Sequence, residues 1–152
     1  AEPKRLRAVV MDGAVPDSVR AALRTVMEDF GRLDILVNNA GSAGPRQRLE
    51  DVPLARRELE ALRAAGASDT ETAGDAARNL LGVAWNLVRV AAPDLLPGAS
   101  VINVSTIFSR TEYFGRTAYV VPKAALNAVS RQLAAELGAH GVRVNTVFPG
   151  PI

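Results

Sequence analysis

Tyr119 and Lys123 have the residue types and the spacing needed for proton transfer. They lie four positions apart in an apolar, helix-forming run. Residues i and i+4 of a helix share one face, so the phenol and the ammonium are expected to point into the same space. A nearby cation favours phenolate and lowers the pKa of a tyrosine from about 10. Such a tyrosine can exchange a proton with a carbonyl or alcohol oxygen. The accompanying hydride requires a nicotinamide cofactor.

This spacing alone is a weak indication, because many amphipathic helices place a solvated lysine beside a half-buried tyrosine. Three apolar runs that end in polar, Gly or Pro residues strengthen it. They cover residues 34–41, 101–106 and 142–152. Buried parallel strands have this character, and α/β sheets bind ligands at the carboxyl ends of such strands. The pattern therefore predicts strands that deliver functional loops to one site.

Strands and helices alternate along the sequence. The predicted strands cover residues 6–11, 34–37, 99–104 and 142–147, and the predicted helices cover 17–30, 71–92 and 118–138. Pro122 is expected in the first turn of the last helix, where its missing N–H costs little. The alternation predicts an α/β fold with a doubly wound, Rossmann-like parallel sheet. No Gly-rich turn precedes the first strand, so the fold is expected to be incomplete at both ends.

The motifs and their order resemble the short-chain dehydrogenase/reductase family. The matching stretches are Asn38-Asn39-Ala40-Gly41, Tyr119-Val120-Val121-Pro122-Lys123 and Pro149-Gly150-Pro151-Ile152. The resemblance implies that residues 1–152 form a partial domain. The Gly-rich cofactor turn would lie upstream and a substrate-covering segment downstream. Residues 45–75 are expected to be an insertion relative to the family, with a solvated helix near Glu58 because acidic and basic residues alternate there.

The resemblance also implies catalytic roles. A serine thirteen residues before the tyrosine binds the substrate oxygen in the family, and that position is Thr106 here. Ser105 is the second candidate and Ser109 the third. Neighbouring strand residues face opposite sides, so Ser105 and Thr106 cannot be equivalent. Either hydroxyl could instead satisfy backbone groups at the strand end.

Lys123 and Asn79 complete the catalytic set that the resemblance implies. Lys123 would lower the pKa of the tyrosine and reach the ribose hydroxyls of the cofactor. Asn79 matches the asparagine that holds a water in the family's proton relay. It could equally be an amide that bridges a helix and a strand.

The implied cofactor is NADPH. Asp12 matches the acid that meets the adenine amino group, although a turn aspartate is nearly as good an interpretation. The other matching positions are Asn39, Ala40 and Gly41 under the adenosine, Lys123 at the ribose, and Pro149, Gly150 and Ile152 at the nicotinamide carboxamide. The pyrophosphate cradle is not among residues 1–152, so this segment alone is not expected to bind NADPH tightly.

Three residues between the strand and the tyrosine are candidates for substrate binding. Arg110 or Arg116 could pair with the carboxylate of a small acid substrate, or both could be surface arginines. Tyr113 could form a wall of the substrate pocket or be a packed aromatic residue.

Composition restricts the class of protein further. The 152-residue chain has a net charge of +2, no cysteine and one histidine, His140. These numbers give no indication of a nucleic-acid, membrane or metal-binding role, and the lack of cysteine fits the reducing cytoplasm. The expected partner is a small-molecule carbonyl substrate. We also expect a homo-oligomer and a longer multidomain chain.

The function that agrees best with these features is NADPH-dependent carbonyl reduction. One alternative is a generic NAD(P)-dependent reductase or alcohol dehydrogenase, for example one that acts on 3-oxoacyl thioesters. The other is a non-catalytic dinucleotide-binding module, which an intact tyrosine–lysine pair disfavours.

Overall fold

The computed structural model describes residues 6–66 and 72–151. The strands are β1 (Leu33–Asn38), β2 (Leu95–Val104) and β3 (Arg143–Val147). The helices are α1 (Pro16–Phe30), α2 (Arg56–Ala64), α3 (Ala73–Ala77), α4 (Val83–Ala91) and α5 (Thr117–Gly138). A π-helical segment spans Arg78–Gly82, and 3₁₀ turns span Leu49–Asp51, Ala92–Asp94 and Ile107–Ser109.

The three strands form one parallel sheet in the order β1-β2-β3. Val101 of β2 pairs with Leu36 on one side and with Val144 on the other. Parallel pairing brings the carboxyl ends of all three strands to the same edge, where ligand sites of α/β sheets form. The predicted α/β class with a Rossmann-like parallel sheet is confirmed, and the sheet has three strands.

The apolar core lies between the sheet and helices α4 and α5. Val88 of α4 and Val101 of β2 are each almost fully buried within it. The buried members of this core are Val88, Leu95, Ala99, Val101, Val142 and Val144, packed by Leu33, Leu36, Leu133, Ala134 and Leu137. Burial of such side chains stabilises a fold by about 1.5–3 kcal/mol each. The core therefore fixes α5, which carries Tyr119 and Lys123, against β2 and β3.

The prediction of a strand over residues 6–11 is wrong. This stretch forms no ladder with any described strand, and the side chains of Leu6 and Val10 are exposed. Strand formation needs a partner for the backbone hydrogen bonds as well as an apolar pattern. Within the described residues, β1 pairs with β2 alone.

The helix predicted over residues 71–92 differs in detail from the helical segments in the structure. Its first residue, Glu71, lies outside the described residues. The described part begins at Ala73 after Thr72, whose hydroxyl accepts a hydrogen bond from the Asp75 N–H at 3.0 Å. It passes through the π-helical segment and ends at Ala91. The π segment is a single-turn feature inside a longer helical stretch, and the sequence analysis did not predict it.

Pro122 also differs from the prediction. Because α5 begins at Thr117, the proline is its sixth residue and lies beyond the first turn. It therefore cannot donate the hydrogen bond that the Ala118 carbonyl would otherwise accept. The helix nevertheless continues to Gly138.

The helix predicted near Glu58 is α2, and the Glu58 carboxylate accepts a hydrogen bond from the Leu54 N–H at 2.9 Å. That residues 45–75 are an insertion stays a prediction. Among the described helices, none has both the length and the apolar character that a membrane crossing requires.

Candidate active site

A cleft of about 470 Å³ opens at the carboxyl edge of the sheet and gathers most of the predicted site residues. Its lining comprises Asn39, Gly41, Ala43, Val104, Ser105, Thr106, Phe108, Tyr113, Arg116, Tyr119, Lys123, Pro149, Gly150 and Pro151. Larger grooves of about 650 and 690 Å³ lie elsewhere, and none of the predicted site residues lines them. The chemistry expected from the sequence therefore converges on the smaller cleft.

Lys123 is buried in the floor of this cleft. Its side chain is 5% exposed, and its Nζ donates a hydrogen bond to the carbonyl of Val104 at 2.6 Å. Burial disfavours the charged form and lowers the pKa of Lys123. The ammonium is thus held at the carboxyl end of β2, close to where a reacting oxygen would meet Tyr119.

Tyr119 lies in the first turn of α5, and its backbone N–H donates to the carbonyl of Arg116 at 3.0 Å. Its side chain is half-buried and lines the cleft together with Lys123. The helical spacing expected from the sequence is therefore present, and both functional groups border one space.

The hydroxyls of Ser105 and Thr106 have different partners. The Ser105 hydroxyl donates to the carbonyl of Lys123 at 3.1 Å and lies 3.3 Å from the Ser109 hydroxyl. The Thr106 oxygen accepts only a long hydrogen bond, 3.4 Å, from the Phe108 N–H. Ser105 is therefore committed to the backbone of α5, whereas the Thr106 hydroxyl keeps its proton available for a ligand oxygen.

A buried chain of polar side chains joins three elements near the cleft. Asn38 at the end of β1 donates to the Asn103 amide oxygen at 2.7 Å, and Asn103 donates to the Ser130 hydroxyl at 2.8 Å. Ser130 in turn donates to the carbonyl of Leu126 at 2.6 Å. We call Asn38, Asn103 and Ser130 the amide chain. It fixes the register of α5 on the sheet two turns beyond Lys123.

Arg116 connects the start of α5 to the loop after β1. Its Nη1 donates to the carbonyls of Ala43, at 3.2 Å, and Gly44. Its Nε is buried without a hydrogen-bond partner. The guanidinium carbon lies 6.0 Å from the centre of the Tyr113 ring. The guanidinium is therefore held in place at the wall of the cleft.

The other two predicted substrate residues occupy different positions. Tyr113 lines the cleft and stacks on Phe108, with ring centres 3.8 Å apart. Arg110 is exposed and lies over the Phe148 ring at 3.9 Å. It does not line the cleft.

Several of the residues predicted to bind the cofactor line the cleft. Asn39 and Gly41, which flank Ala40, and the pair Pro149 and Gly150 line the cleft. The loop after β3 is held by a hydrogen bond from the Ile107 N–H to the Pro149 carbonyl at 3.0 Å. Ile152 lies outside the described residues.

Asp12 does not line the cleft. Its carboxylate accepts a hydrogen bond from the Ala14 N–H at 2.9 Å, which is the geometry of a turn aspartate. In the structure, Asp12 therefore has the contacts of a turn aspartate. A role at an adenine stays a prediction.

Asn79 lies in the π-helical segment, which packs against α5. It does not line the cleft. The next residue, Leu80, packs so closely under Gly41 that a Cβ there would lie 2.6 Å from the Leu80 Cδ2. The π segment therefore packs closely against the loop after β1, and a larger residue at position 41 would require the Leu80 side chain to move.

Sequence reasoning missed Phe108, Ala43 and the role of Gly115. Gly115 has a φ of +71° just before α5, and its carbonyl accepts a hydrogen bond from the Gln47 N–H at 2.9 Å. A Cβ there would lie 2.8 Å from the Arg46 Cγ. A glycine immediately before a predicted helix was a usable signal. The aromatic stack was not, because stacking depends on the path of the loop.

Two further arginines, Arg46 and Arg48, follow the loop after β1. Arg46 lies over the Tyr113 ring at 5.2 Å, on the side of the cleft. Arg48 forms an exposed ion pair with Glu50 at 2.6 Å. Arg46 thus contacts an aromatic ring, and Arg48 is paired with an acid.

Comparisons with known proteins identify the family of this chain. The profile of a family described as enoyl-(acyl carrier protein) reductase matches residues 1–152. L-fucose dehydrogenase of Oryctolagus cuniculus is 36% identical over 138 residues, which is 90% of this chain and 43% of that protein. The short-chain reductase protein NovJ of Streptomyces niveus is 37% identical over 147 residues, which is 96% of this chain and 50% of that protein. The chain spans about half the length of these curated relatives.

The parallel sheet, the tyrosine–lysine helix and these matches define the class. The chain belongs to the short-chain dehydrogenase/reductase family, whose members are NAD(P)-dependent oxidoreductases. Within that class it is similar to the N-domain of a bacterial malonyl-CoA reductase, solved with NADP, at 61% identity and a TM-score of 0.92. The match covers 100% of this chain and 28% of that chain. A dehydrogenase/reductase from Sinorhizobium meliloti 1021 is 26% identical, with a TM-score of 0.77.

Proposed function

We propose that the complete protein is an NADPH-dependent carbonyl reductase in which Tyr119 is the general acid. The observation that carries this proposal is the convergence of Tyr119, Lys123 and Thr106 on one cleft at the carboxyl edge of the sheet. The family's chemistry needs a proton donor, a cation and a hydroxyl around one oxygen, and these residues supply all three.

Each residue has a distinct task in the proposed reaction. The Thr106 hydroxyl donates a hydrogen bond to the carbonyl oxygen of the substrate and orients it. Tyr119 transfers its phenolic proton to that oxygen as the alcohol forms. Lys123, bound to the Val104 carbonyl, stabilises the phenolate that remains. Asn79 would help to return a proton to Tyr119 from the side of the π-helical segment.

The residues present fit the nicotinamide half of the cofactor. Lys123 offers donors for ribose hydroxyls, and Asn39 offers an amide at the end of β1. Pro149 and Gly150 also line the cleft. NADPH supplies the hydride when it is bound. The preference for NADPH is supported by the NADP in the malonyl-CoA reductase N-domain.

The proposed substrate is malonate semialdehyde, which would be reduced to 3-hydroxypropionate as one half of a bifunctional malonyl-CoA reductase. The support is the 61% identity to the N-domain of such an enzyme, far above the identity to the curated relatives. A second candidate is a reductase of neutral carbonyl compounds, which the resemblance to L-fucose dehydrogenase favours.

The test is oxidation of NADPH by the complete protein, followed at 340 nm. We expect turnover with malonate semialdehyde and a higher kcat/KM for it than for propanal or a 3-oxoacyl thioester. A higher kcat/KM for a neutral aldehyde would favour the second candidate. Absence of turnover with every carbonyl compound would contradict the proposed activity.

We further propose that the protein acts in the cytoplasm as a homo-oligomer. An apolar groove between α4 and α5, with Trp85 half exposed at its edge, supports self-association. Analytical ultracentrifugation of the complete protein tests this, and a single monomeric species would contradict it.

A further inference from the structure

We infer that Arg116, and not Arg110, recognises the carboxylate of a short oxoacid and gives the cleft its preference for a charged aldehyde. This inference rests on the proposed carbonyl reduction and names the residue that selects the substrate. Four observations carry it: the charge of the cleft, the way Arg116 is held, its place one turn before Tyr119 in the same cleft, and the position of Arg110.

The cleft is lined by two cations and no acid. Lys123 and Arg116 are the only charged side chains among its described lining residues. The Lys123 ammonium already donates to the Val104 carbonyl at 2.6 Å. Arg116 is therefore the cation that remains for a negatively charged part of a substrate.

The Arg116 guanidinium donates hydrogen bonds from Nη1 but not from Nε. Nη1 donates to the carbonyls of Ala43 and Gly44. Nε is buried and has no hydrogen-bond partner, and no ion pair to Arg116 occurs within residues 6–66 and 72–151. Arginine binds carboxylates through two parallel N–H groups. Nε, together with Nη2, would supply such a pair of N–H groups, and Nε has no partner among the described residues.

The position of Arg116 relative to Tyr119 suits a short molecule. Arg116 directly precedes α5, and the Tyr119 N–H donates to its carbonyl at 3.0 Å, which closes one helical turn. The side chains of both residues line the same cleft. A carbonyl group held at Tyr119 and a carboxylate held at Arg116 can thus belong to one short oxoacid.

Arg110 is directed elsewhere. Its guanidinium lies 3.9 Å above the centre of the Phe148 ring, on an exposed residue that does not line the cleft. It therefore provides a matched control, because it carries the same side chain on the same loop.

The competing explanation is that Arg116 only fastens the loop at Ala43 and Gly44 to the start of α5. That role would affect every substrate equally, since the loop lies beside Asn39 and Gly41 in the same cleft. Recognition of a carboxylate would affect charged substrates alone. The two explanations are therefore separated by a pair of aldehydes that differ in charge.

The experiment measures kcat/KM of the complete protein with malonate semialdehyde and with propanal, which has the same number of carbons and no charge. R116Q should lower the value for malonate semialdehyde about 10- to 100-fold, the range for a lost hydrogen bond to a charged group. The value for propanal should fall about tenfold less than the value for malonate semialdehyde, because loss of the Ala43 and Gly44 contacts affects both aldehydes equally. R110Q should leave both values within about threefold. R116K keeps the positive charge but lacks the parallel N–H groups of a guanidinium. It should therefore recover part of the preference for malonate semialdehyde over propanal.

Equal losses for both aldehydes in R116Q, or an equal loss of preference in R110Q, would overturn the inference. A separate titration measures binding of 3-hydroxypropionate by calorimetry in the presence of NADP. Weaker binding to R116Q than to R110Q supports the assignment even if turnover is absent, and in that case only the proposed reaction fails. Equal binding to the two variants would overturn the assignment independently of any activity.

Discussion

Replacement of Asn103 by alanine tests whether the amide chain holds α5 in register with the sheet. Asn103 is fully buried, and it accepts from Asn38 at 2.7 Å and donates to Ser130 at 2.8 Å. Both partners are also buried, at 6% and 3% exposure. Alanine would therefore leave an amide N–H and a hydroxyl without their partner in a site that water does not reach.

The magnitude follows from these contacts. A buried polar group left unsatisfied costs about 1–3 kcal/mol. Ser130 keeps its own hydrogen bond to the Leu126 carbonyl, so its share lies at the low end. Two affected groups and a small cavity together give a loss of about 2–5 kcal/mol in the free energy of opening this region. That loss corresponds to roughly 30-fold to several-thousand-fold faster amide exchange.

The assay is hydrogen–deuterium exchange of the complete protein, read by mass spectrometry on peptides from β2 and α5. Asn145→Ala is the control, because Asn145 is an exposed asparagine on the neighbouring strand β3. A surface substitution of this kind changes stability by about 0.5 kcal/mol or less. If N103A altered exchange in α5 no more than N145A, the amide chain would not be what positions the helix.

The remaining predictions concern the hydroxyls and the lysine. Thr106→Val should lower kcat of the complete protein far more than Ser105→Ala, because the Ser105 hydroxyl donates its proton to the Lys123 carbonyl whereas the Thr106 hydroxyl only accepts. The opposite order would assign the substrate hydroxyl to Ser105. Burial lowers the pKa of Lys123 from 10.5, so between its pKa in the folded chain and 10.5 the unfolded chain binds more protons than the folded chain. The free energy of unfolding of the unmodified protein, relative to that of Lys123→Met, should therefore rise with pH up to about 10.5. Chemical denaturation of both proteins at several pH values measures this. If the difference between the two free energies did not depend on pH, burial would not penalise the ammonium.

The sequence was sufficient for the parts of the site that local rules determine. Tyr119 and Lys123 share a face because helical periodicity fixes their spacing, and Thr106 and Pro149 meet because parallel strands end at one edge. These residues line one cleft, as expected. The roles assigned to them remain proposals.

Contacts between distant parts of the chain could not be predicted. Arg116 meets Ala43 and Gly44 more than seventy residues away in sequence, and the hydrogen bond from Asn38 to Asn103 spans 65 residues. Neither contact leaves a periodic pattern in the sequence. The strand wrongly expected over residues 6–11 fails for the same reason, since pairing depends on a partner that the local sequence does not specify.

The most direct test of the account is Tyr119→Phe in the complete protein. This change removes one hydroxyl and keeps the ring, so the helix and the cleft should persist. With NADPH and malonate semialdehyde, kcat should fall about 10²- to 10⁴-fold, the range for loss of a general acid. NADP affinity and the circular dichroism spectrum should stay unchanged. A kcat within a few-fold of the unmodified protein would contradict the assignment of Tyr119 as the proton donor.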